Sequence, residues 1–402
     1  MKYERNFQLS VTLPLKTGEF GEDIITPWLA NLLPEELQLT TLSRALGLPV
    51  SNTLDILRVI GGDTAGAISI GEPSDRRIWD YQTLLSYYKA ETQREALNLH
   101  FDDLERKPLL VGEDGVRLSL AGGQMKTVLA VLDDSSKPKL GLPGPTDRLA
   151  IPKAGAPSTI IIKPDNPRLP GIVENEFYCL TLAKMIGIQV VDCEIIETDN
   201  RSALVVARYD RHLRDDGTIR RLHQEDFAQA NSIYPIQKYE KGSVKGLDLN
   251  ALLLTGKQLP PTEELKLLDQ VIFNILVANT DAHAKNYSII LSDGPTIAPL
   301  YDVSSVLFWK GYINQYHAQK IAGKKRKPVD IARKHWDKIA EQAGLNARSV
   351  RLKVQYLVDK MIENRIAASD HVARQSNNSA KLVNDIAIRV ERNAIRIAGR
   401  LK

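Results

Sequence analysis

The sequence predicts an α+β fold of two lobes, a mixed α/β small lobe followed by a mainly helical large lobe, with an accessory subdomain ahead of both. Three observations predict it. β-Branched and aliphatic runs at 159–163 and 203–207 read as buried strands in the first half of the chain. Helical spacing dominates the second half, as in Leu382, Ile386, Val390, Asn393 and Ile397, which recur at three- and four-residue steps. With 402 residues and 43% apolar content, the chain can bury a large core divided into two to three domain-sized units.

Residues 1–105 mix short strands with helices, such as 34–46 and 78–97, and form the expected accessory subdomain. Residues 106–207 form the expected small lobe. They hold a Gly122-Gly123 segment, the apolar run 128–132, the strand 159–163, a helix over 173–186 and the strand 203–207. Residues 208–402 form the large lobe. There, Pro260-Pro261-Thr262-Glu263-Glu264 has helix-start chemistry, with Thr262 as the expected N-cap and two acids in the first turn. Leu265, Leu268, Ile272 and Leu276 follow at helical spacing, so this helix should run into Asn279 and present Asp281 at its exit. Residues 287–291, the turn Asp293-Gly294-Pro295 and residues 296–300 read as a hairpin delivering Asp302. The chain ends in an amphipathic helix with one polar interruption, Asn393.

The segment Thr280-Asp281-Ala282-His283-Ala284-Lys285-Asn286 sets an Asp and an Asn five apart, and Asp302 follows the hairpin. Phosphoryl transfer asks for such a set: a carboxylate to align an acceptor hydroxyl, and oxygen ligands for Mg²⁺. Taken alone, Asp281 and Asn286 also suit ordinary turn positions. Their pairing with Asp302 favours the chemical reading. A nucleotide site also needs a phosphate-binding cation, and Lys163 closes a buried strand, as such lysines do. Glu176 shares the apolar helix face of Cys179, Leu180 and Ala183, where a carboxylate needs a cation, and Lys163 is the expected partner. Glu174 falls on the opposite, polar side. By spacing, Gly122-Gly123 fits a hairpin connection as well as a phosphate loop, and it matches no Walker pattern.

No stretch is long enough to cross a bilayer, and Met1-Lys2-Tyr3-Glu4-Arg5-Asn6 lacks the apolar core of a signal peptide, so a cytoplasmic location is expected. Cys179 and Cys193 make neither a disulfide scaffold nor a metal knuckle. A net charge of +4 does not argue for nucleic-acid binding, and the run Lys324-Lys325-Arg326-Lys327 reads first as a solvated loop and otherwise as a contact for a phosphate backbone or an acidic partner.

Seven segments, in order, resemble the successive blocks of the HipA family: Ser119-Leu120-Ala121-Gly122-Gly123-Gln124-Met125-Lys126-Thr127, Ile161-Ile162-Lys163, Glu174-Asn175-Glu176-Phe177-Tyr178-Cys179, Ala207-Arg208-Tyr209-Asp210-Arg211, Gln224-Glu225-Asp226, the Asp281 segment, and Tyr301-Asp302-Val303. Residues 27–34 and Gly66-Ala67-Ile68 resemble the family's accessory subdomain. HipA proteins are serine/threonine kinases acting as toxins of bacterial toxin–antitoxin pairs, so the resemblance implies a kinase-like fold that uses ATP and Mg²⁺. It implies Asp281 as catalytic base, His283 stiffening the loop, and Asn286 and Asp302 as metal ligands. Lys163 would hold the nucleotide phosphates, with Gly122, Gly123, Gln124, Lys126 and Thr127 in the phosphate loop. Ala207 and Tyr209 would form the hinge beside adenine, Asp210 would lie near the ribose, and Gln224 and Glu225 would sit at the cleft between the lobes. Ser119 matches the serine that family members autophosphorylate, which ejects the loop and switches the kinase off.

Gly123, Met125 and Ala207 replace the family's usual Ala, Glu and hinge Glu. The partners implied are a HipB-like helix-turn-helix antitoxin, operator DNA through that antitoxin, and a bacterial protein substrate, with an aminoacyl-tRNA synthetase the expected acceptor. A catalytically silent kinase-fold scaffold or corepressor, bound to an antitoxin on DNA, is the other class the resemblance allows.

Overall fold

Antiparallel pairing of the β-branched runs builds a sheet in the first part of the chain, while the 3.6-residue periodicities build a helical assembly in the second. The computed structural model describes residues 7–13, 20–71, 79–240, 246–309, 311–376 and 379–402. The chain divides into one unit of Met1–Asp165, Val191–Glu225 and Ile290–Ser292, and another of Asn166–Val190, Asp226–Ile289 and Asp293–Lys402.

The first unit opens with α1 (Glu22–Ala30), α2 (Glu36–Leu46) and α3 (Thr53–Ile60). Trp28, Leu32, Leu33, Leu42, Ile56 and Leu57 form their core. The single helix expected over 78–97 is instead β1 (Asp80–Thr83), α4 (Leu84–Tyr88) and α5 (Gln93–Leu104), with Ile78 outside the described residues. Two local caps explain the split: Thr83 and Thr92 accept backbone N–H bonds from Ser86 and Glu95, so two helices start where one was expected. Lys89, at φ 53°, ends the first. Among the described residues the sheet also holds β2 (Thr127–Leu132), β3 (Pro138–Lys139), β4 (Arg148–Lys153), β5 (Ile160–Pro164), β6 (Cys193–Glu197) and β7 (Ser202–Ala207), in the order β1-β4-β2-β5-β7-β6 with β3 on β2. Leu84, Leu97, Phe101 and Leu104 share one core with Val128, Leu129, Ile160, Ile162 and Val205. Residues 80–104 therefore pack with the strands, across the boundary expected at 105. β8 (Arg211–Leu213), β9 (Ile219–Arg221) and β10 (Gln224–Asp226) follow.

The second unit contains α6 (Ile172–Met185), α7 (Phe227–Ala230), α8 (Leu249–Gly256), α9 (Pro261–Leu276), the hairpin strands β11 (Ser288–Ile290) and β12 (Thr296–Ile297), α10 (Arg333–Ala343), α11 (Ala347–Ala373) and α12 (Ala380–Ala398). The Glu176 helix is expected in the small lobe, whereas α6 belongs to this helical unit, packed against α11 and α12. It is buried without interruption from Ile172 to Ala183, which a one-faced amphipathic helix would not be. Glu174 is correspondingly buried rather than on a polar side, and its carboxylate accepts a 2.9 Å bond from Ser376 Oγ.

At the start of α6, Gly171 has φ 79° and any Cβ there would meet Leu382 at 3.0 Å, so both backbone and space call for glycine. The start of α9 also differs from expectation: Pro260 is its N-cap and Pro261 its first residue, where a missing N–H costs nothing, and Thr262 lies inside. Leu265 is exposed, and the buried face runs through Leu268, Ile272 and Leu276 with Leu267, Val271 and Ile275. No helix among the described residues is long and apolar enough to cross a membrane.

Candidate active site

α9 ends at Leu276, short of the expected Asn279, and Ala278 takes a left-handed turn at φ 58°. Asn279 then acts as a hub that the sequence reading did not single out. Its Nδ2 donates to Asn274 Oδ1 at 2.8 Å and to Asp302 O at 3.3 Å, while its Oδ1 accepts the Asp281 backbone N–H at 3.2 Å. The only sequence signal for it was an uncapped polar residue beyond an apolar helix. Asp281 is further pinned at its carbonyl, which accepts the His283 N–H at 2.7 Å. The short turn Ala284–Asn286 closes through Asn286 N–H donating to His283 O at 2.9 Å. Lys285 is buried, with its ammonium 3.4 Å from Asp226 Oδ2, and its carbonyl accepts the Tyr301 hydroxyl at 2.9 Å. The loop is thus tied to the start of α7 and to the residue before Asp302.

Asn286 and Asp302 meet directly, with Nδ2 donating to Asp302 Oδ2 at 2.8 Å. Asp302 stands at φ 58°, a conformation an L-residue adopts at a local cost, and one that recurs at functional sites. Asn286 Oδ1 is buried with no hydrogen-bond partner among the described residues. An orphaned amide oxygen beside a carboxylate is a set of hard oxygen donors, and it fits Mg²⁺. Tyr239, also missed in the sequence, donates its hydroxyl to Asp281 Oδ1 at 2.6 Å, and its ring stands edge-on to His283 with centroids 5.0 Å apart. Asp281, His283, Asn286 and Asp302 are therefore brought into one network.

The nucleotide-side candidates lie in the other unit, on neighbouring strands. Lys163 sits in β5 and is buried; on the flanking strands Thr127 faces Ile162 and Ala207 faces Ile160. In the glycine segment, Gly122 has φ 108°, and a Cβ there would lie 2.5 Å from Lys126 Nζ. The loop is held by its own chain: Lys126 donates to Ala121 O, and Gln38 Nε2 donates to Gly123 O and Gln124 O. Met125 packs against the sheet core as an apolar tether. Ser119 is fully buried, with Oγ donating to Leu32 O at 2.7 Å.

Asp210 and Glu225 are both buried and enclosed by bonded partners of their own unit. Asp210 receives Arg208 Nη2 and Gly66 N–H at 2.7 Å, with Arg211 Nη1 at 3.0 Å. Burial works to raise its carboxyl, but the charges of Arg208 and Arg211 outweigh it and hold the group below the usual carboxylate range. Those arginines also serve Asp63, whose carboxylate faces Arg211 at 2.9 Å, Arg221 at 2.8 Å and Ser158 Oγ at 2.6 Å. Glu225 accepts from Val11 N–H at 2.7 Å and Trp28 Nε1 at 3.0 Å. Gln224 is buried and bonded to the Tyr209 hydroxyl.

The family model of the HipA-like C-terminal domain matches residues 118–365, and that of the HipA N-terminal domain matches 1–71. The chain is 35% identical over 401 residues to the Sinorhizobium fredii protein Y4mE, covering 99% of this chain and 90% of that one. It is 30% identical over 325 residues to the serine/threonine-protein kinase toxin HipA of Shewanella oneidensis, covering 78% of this chain and 70% of the relative. Among solved structures, the HipA of the Shewanella oneidensis HipA, HipB and operator DNA complex superposes with a TM-score of 0.79 at 26% identity, over 98% of this chain and 90% of that one. Together with the α+β architecture and the Asp281 network, these matches place the fold among the kinase-like ones, and the chain belongs to the HipA kinase family.

Proposed function

We propose that this protein is an ATP- and Mg²⁺-dependent serine/threonine kinase that modifies a bacterial protein and is controlled by a HipB-like antitoxin, through which it reaches operator DNA. The observation that carries the reading is the joining of Asp281 to Asp302 through Asn279, with Asn286 bonded to the same Asp302.

In the proposed reaction, Asp281 accepts the proton of a serine or threonine hydroxyl as that oxygen bonds to the γ-phosphorus. The bond from γ-phosphorus to the β–γ bridging oxygen breaks, and ADP leaves. Asn286 Oδ1 and the Asp302 carboxylate would hold the metal, which when bound would spread charge on the phosphate oxygens. Lys163 binds the phosphates, Thr127 and the Gly122–Lys126 loop cradle them, and Ala207 and Tyr209 flank the base. An aminoacyl-tRNA synthetase is the proposed acceptor class. Ser119 is the proposed self-modification site: phosphate cannot fit on a fully buried Oγ, so its modification requires the loop to leave its seat, which would stop nucleotide binding.

The test is incubation with γ-labelled ATP and Mg²⁺, followed by mapping of the label. Asp281→Ala is expected to lower transfer by at least about 1,000-fold with ATP binding largely kept, because positioning and charge stabilisation dominate this chemistry. A loss under about tenfold would remove Asp281 from the role of base. Unlabelled wild type, with or without added bacterial protein, would point to a silent scaffold.

A further inference from the structure

The Tyr239 hydroxyl donates to Asp281 Oδ1 at 2.6 Å, a contact that the proposed chemistry does not itself require. A carboxylate acting as base must keep one oxygen for the acceptor hydroxyl and hold that oxygen in place. The backbone of Asp281 is already fixed, at its N–H by Asn279 Oδ1 at 3.2 Å and at its carbonyl by His283 N–H at 2.7 Å. Neither bond restrains rotation of the carboxylate about its own side-chain torsions. A donor on one oxygen does.

Tyr239 is built to be that donor. Its ring stands edge-on to His283, with centroids 5.0 Å apart and planes at 77°. The Lys238 ammonium lies 5.1 Å from the ring centroid, and a cation near a phenol makes its O–H a stronger donor. Both neighbours of Tyr239 in sequence are buried: Lys238 is 5% exposed and Glu240 is 8% exposed. The Glu240 carboxylate accepts the Lys320 backbone N–H at 2.6 Å and pairs with the Lys320 ammonium at 3.2 Å, while Glu240 N–H donates to Ala318 O at 3.3 Å. The phenol is therefore delivered from a moored segment, unlike a side chain waiting to be pushed aside. The neighbouring hydroxyl of Thr280 is turned to another task, donating to Asn314 O at 3.2 Å.

We infer that Tyr239 is a positioning residue for phosphoryl transfer: by holding Asp281 Oδ1 it fixes the orientation in which the Asp281 carboxylate meets the acceptor hydroxyl. The inference rests on the kinase reading with Asp281 as base. It assigns Tyr239 no proton transfer, only the orientation of the group that makes one.

The experiment compares wild type, Tyr239→Phe and Asp281→Asn for the rate of labelling of the full chain by γ-labelled ATP and Mg²⁺, over a range of ATP concentrations. Phenylalanine keeps the ring against His283 and removes only the donor, and equal thermal unfolding midpoints confirm that the fold is kept. The expected result is a maximal rate lowered between about 10-fold and about 100-fold in Tyr239→Phe, with half-saturating ATP within about twofold of wild type. A merely structural role would move the unfolding midpoint or the ATP dependence instead, and either result overturns the inference. If wild type is labelled, Asp281→Asn is not, and Tyr239→Phe runs at the wild-type rate or faster, the positioning role is wrong while the kinase reading stands. If wild type labels neither itself nor added bacterial protein, or Asp281→Asn labels as much, the kinase reading itself fails and the inference falls with it.

Discussion

Asn286 commits its Nδ2 to Asp302 Oδ2 at 2.8 Å, which leaves its buried Oδ1 as the amide atom without a partner among the described residues. A buried acceptor left unmade costs about 1–3 kcal/mol, so the fold carries this oxygen at some expense to stability. A divalent cation bound there would satisfy it.

Asn286→Ala is accordingly expected to raise the Mg²⁺ concentration for half-maximal transfer by about tenfold or more, because an oxygen ligand is lost while the Asp302 charge remains. Initial rates over a Mg²⁺ titration read this directly. An unchanged Mg²⁺ dependence would mean that Asn286 shapes the loop and does not hold metal.

Three buried titratable groups give the stability a defined pH dependence. Burial pushes His100 down to about 3 and His317 down to about 4. Both lie below the unfolded value of about 6.5, so the unfolded chain takes up the protons first. Their stability is present above about pH 6.5 and is lost as pH falls through that value, at about 1.4 kcal/mol per pH unit for each group. At Asp63, burial works to raise the carboxyl, but Arg211, Arg221 and Arg208 outweigh it and hold the group far below the usual range. Its contribution is whole above the unfolded value of about 3.9 and drains away below it. Urea unfolding at stepped pH should show the decline beginning near pH 6.5, and His100→Gln should remove one group's share of the slope down to about pH 4. If His100→Gln keeps the wild-type slope, that histidine is not buried neutral in solution.

Much of this was legible in the sequence because it was local. A β-branched run with no polar break becomes β5 whatever packs on it, and Asp281, Asn286 and Asp302 could be grouped because a hairpin between them fixes their separation. What depends on distant partners was not legible. Glu174 read as solvent-facing because helical periodicity cannot reveal that Ser376, 202 residues away, supplies a donor. At Asp210 the neighbouring Arg208 and Arg211 stand in its own sequence block, but the Gly66 N–H that bonds its carboxylate comes from 144 residues away and could not be read there. Tyr239 went unnoticed for the same reason, lying 42 residues before the carboxylate it holds.

Asn393 shows the same logic at the end of the chain, where an interruption of the apolar stripe turns out to be a connector. It is 5% exposed on the buried face of α12, and its Nδ2 donates to Leu276 O, the last residue of α9, at 2.8 Å. A helix's final carbonyls lack intrahelical donors, so this amide satisfies one just before the turn that leads to Asn279 and Asp281. Asn393→Leu keeps the γ-branched outline of the side chain and restores the apolar stripe, yet it orphans that carbonyl. The expected outcome is a loss of about 1–3 kcal/mol in urea unfolding despite the added hydrophobicity, because the unmade bond outweighs the gain. Labelling by ATP should slow in the same variant, since the turn carrying Asp281 loses an anchor. A leucine variant as stable and as active as wild type would show that the Leu276 carbonyl finds another donor, and that α12 contributes packing alone.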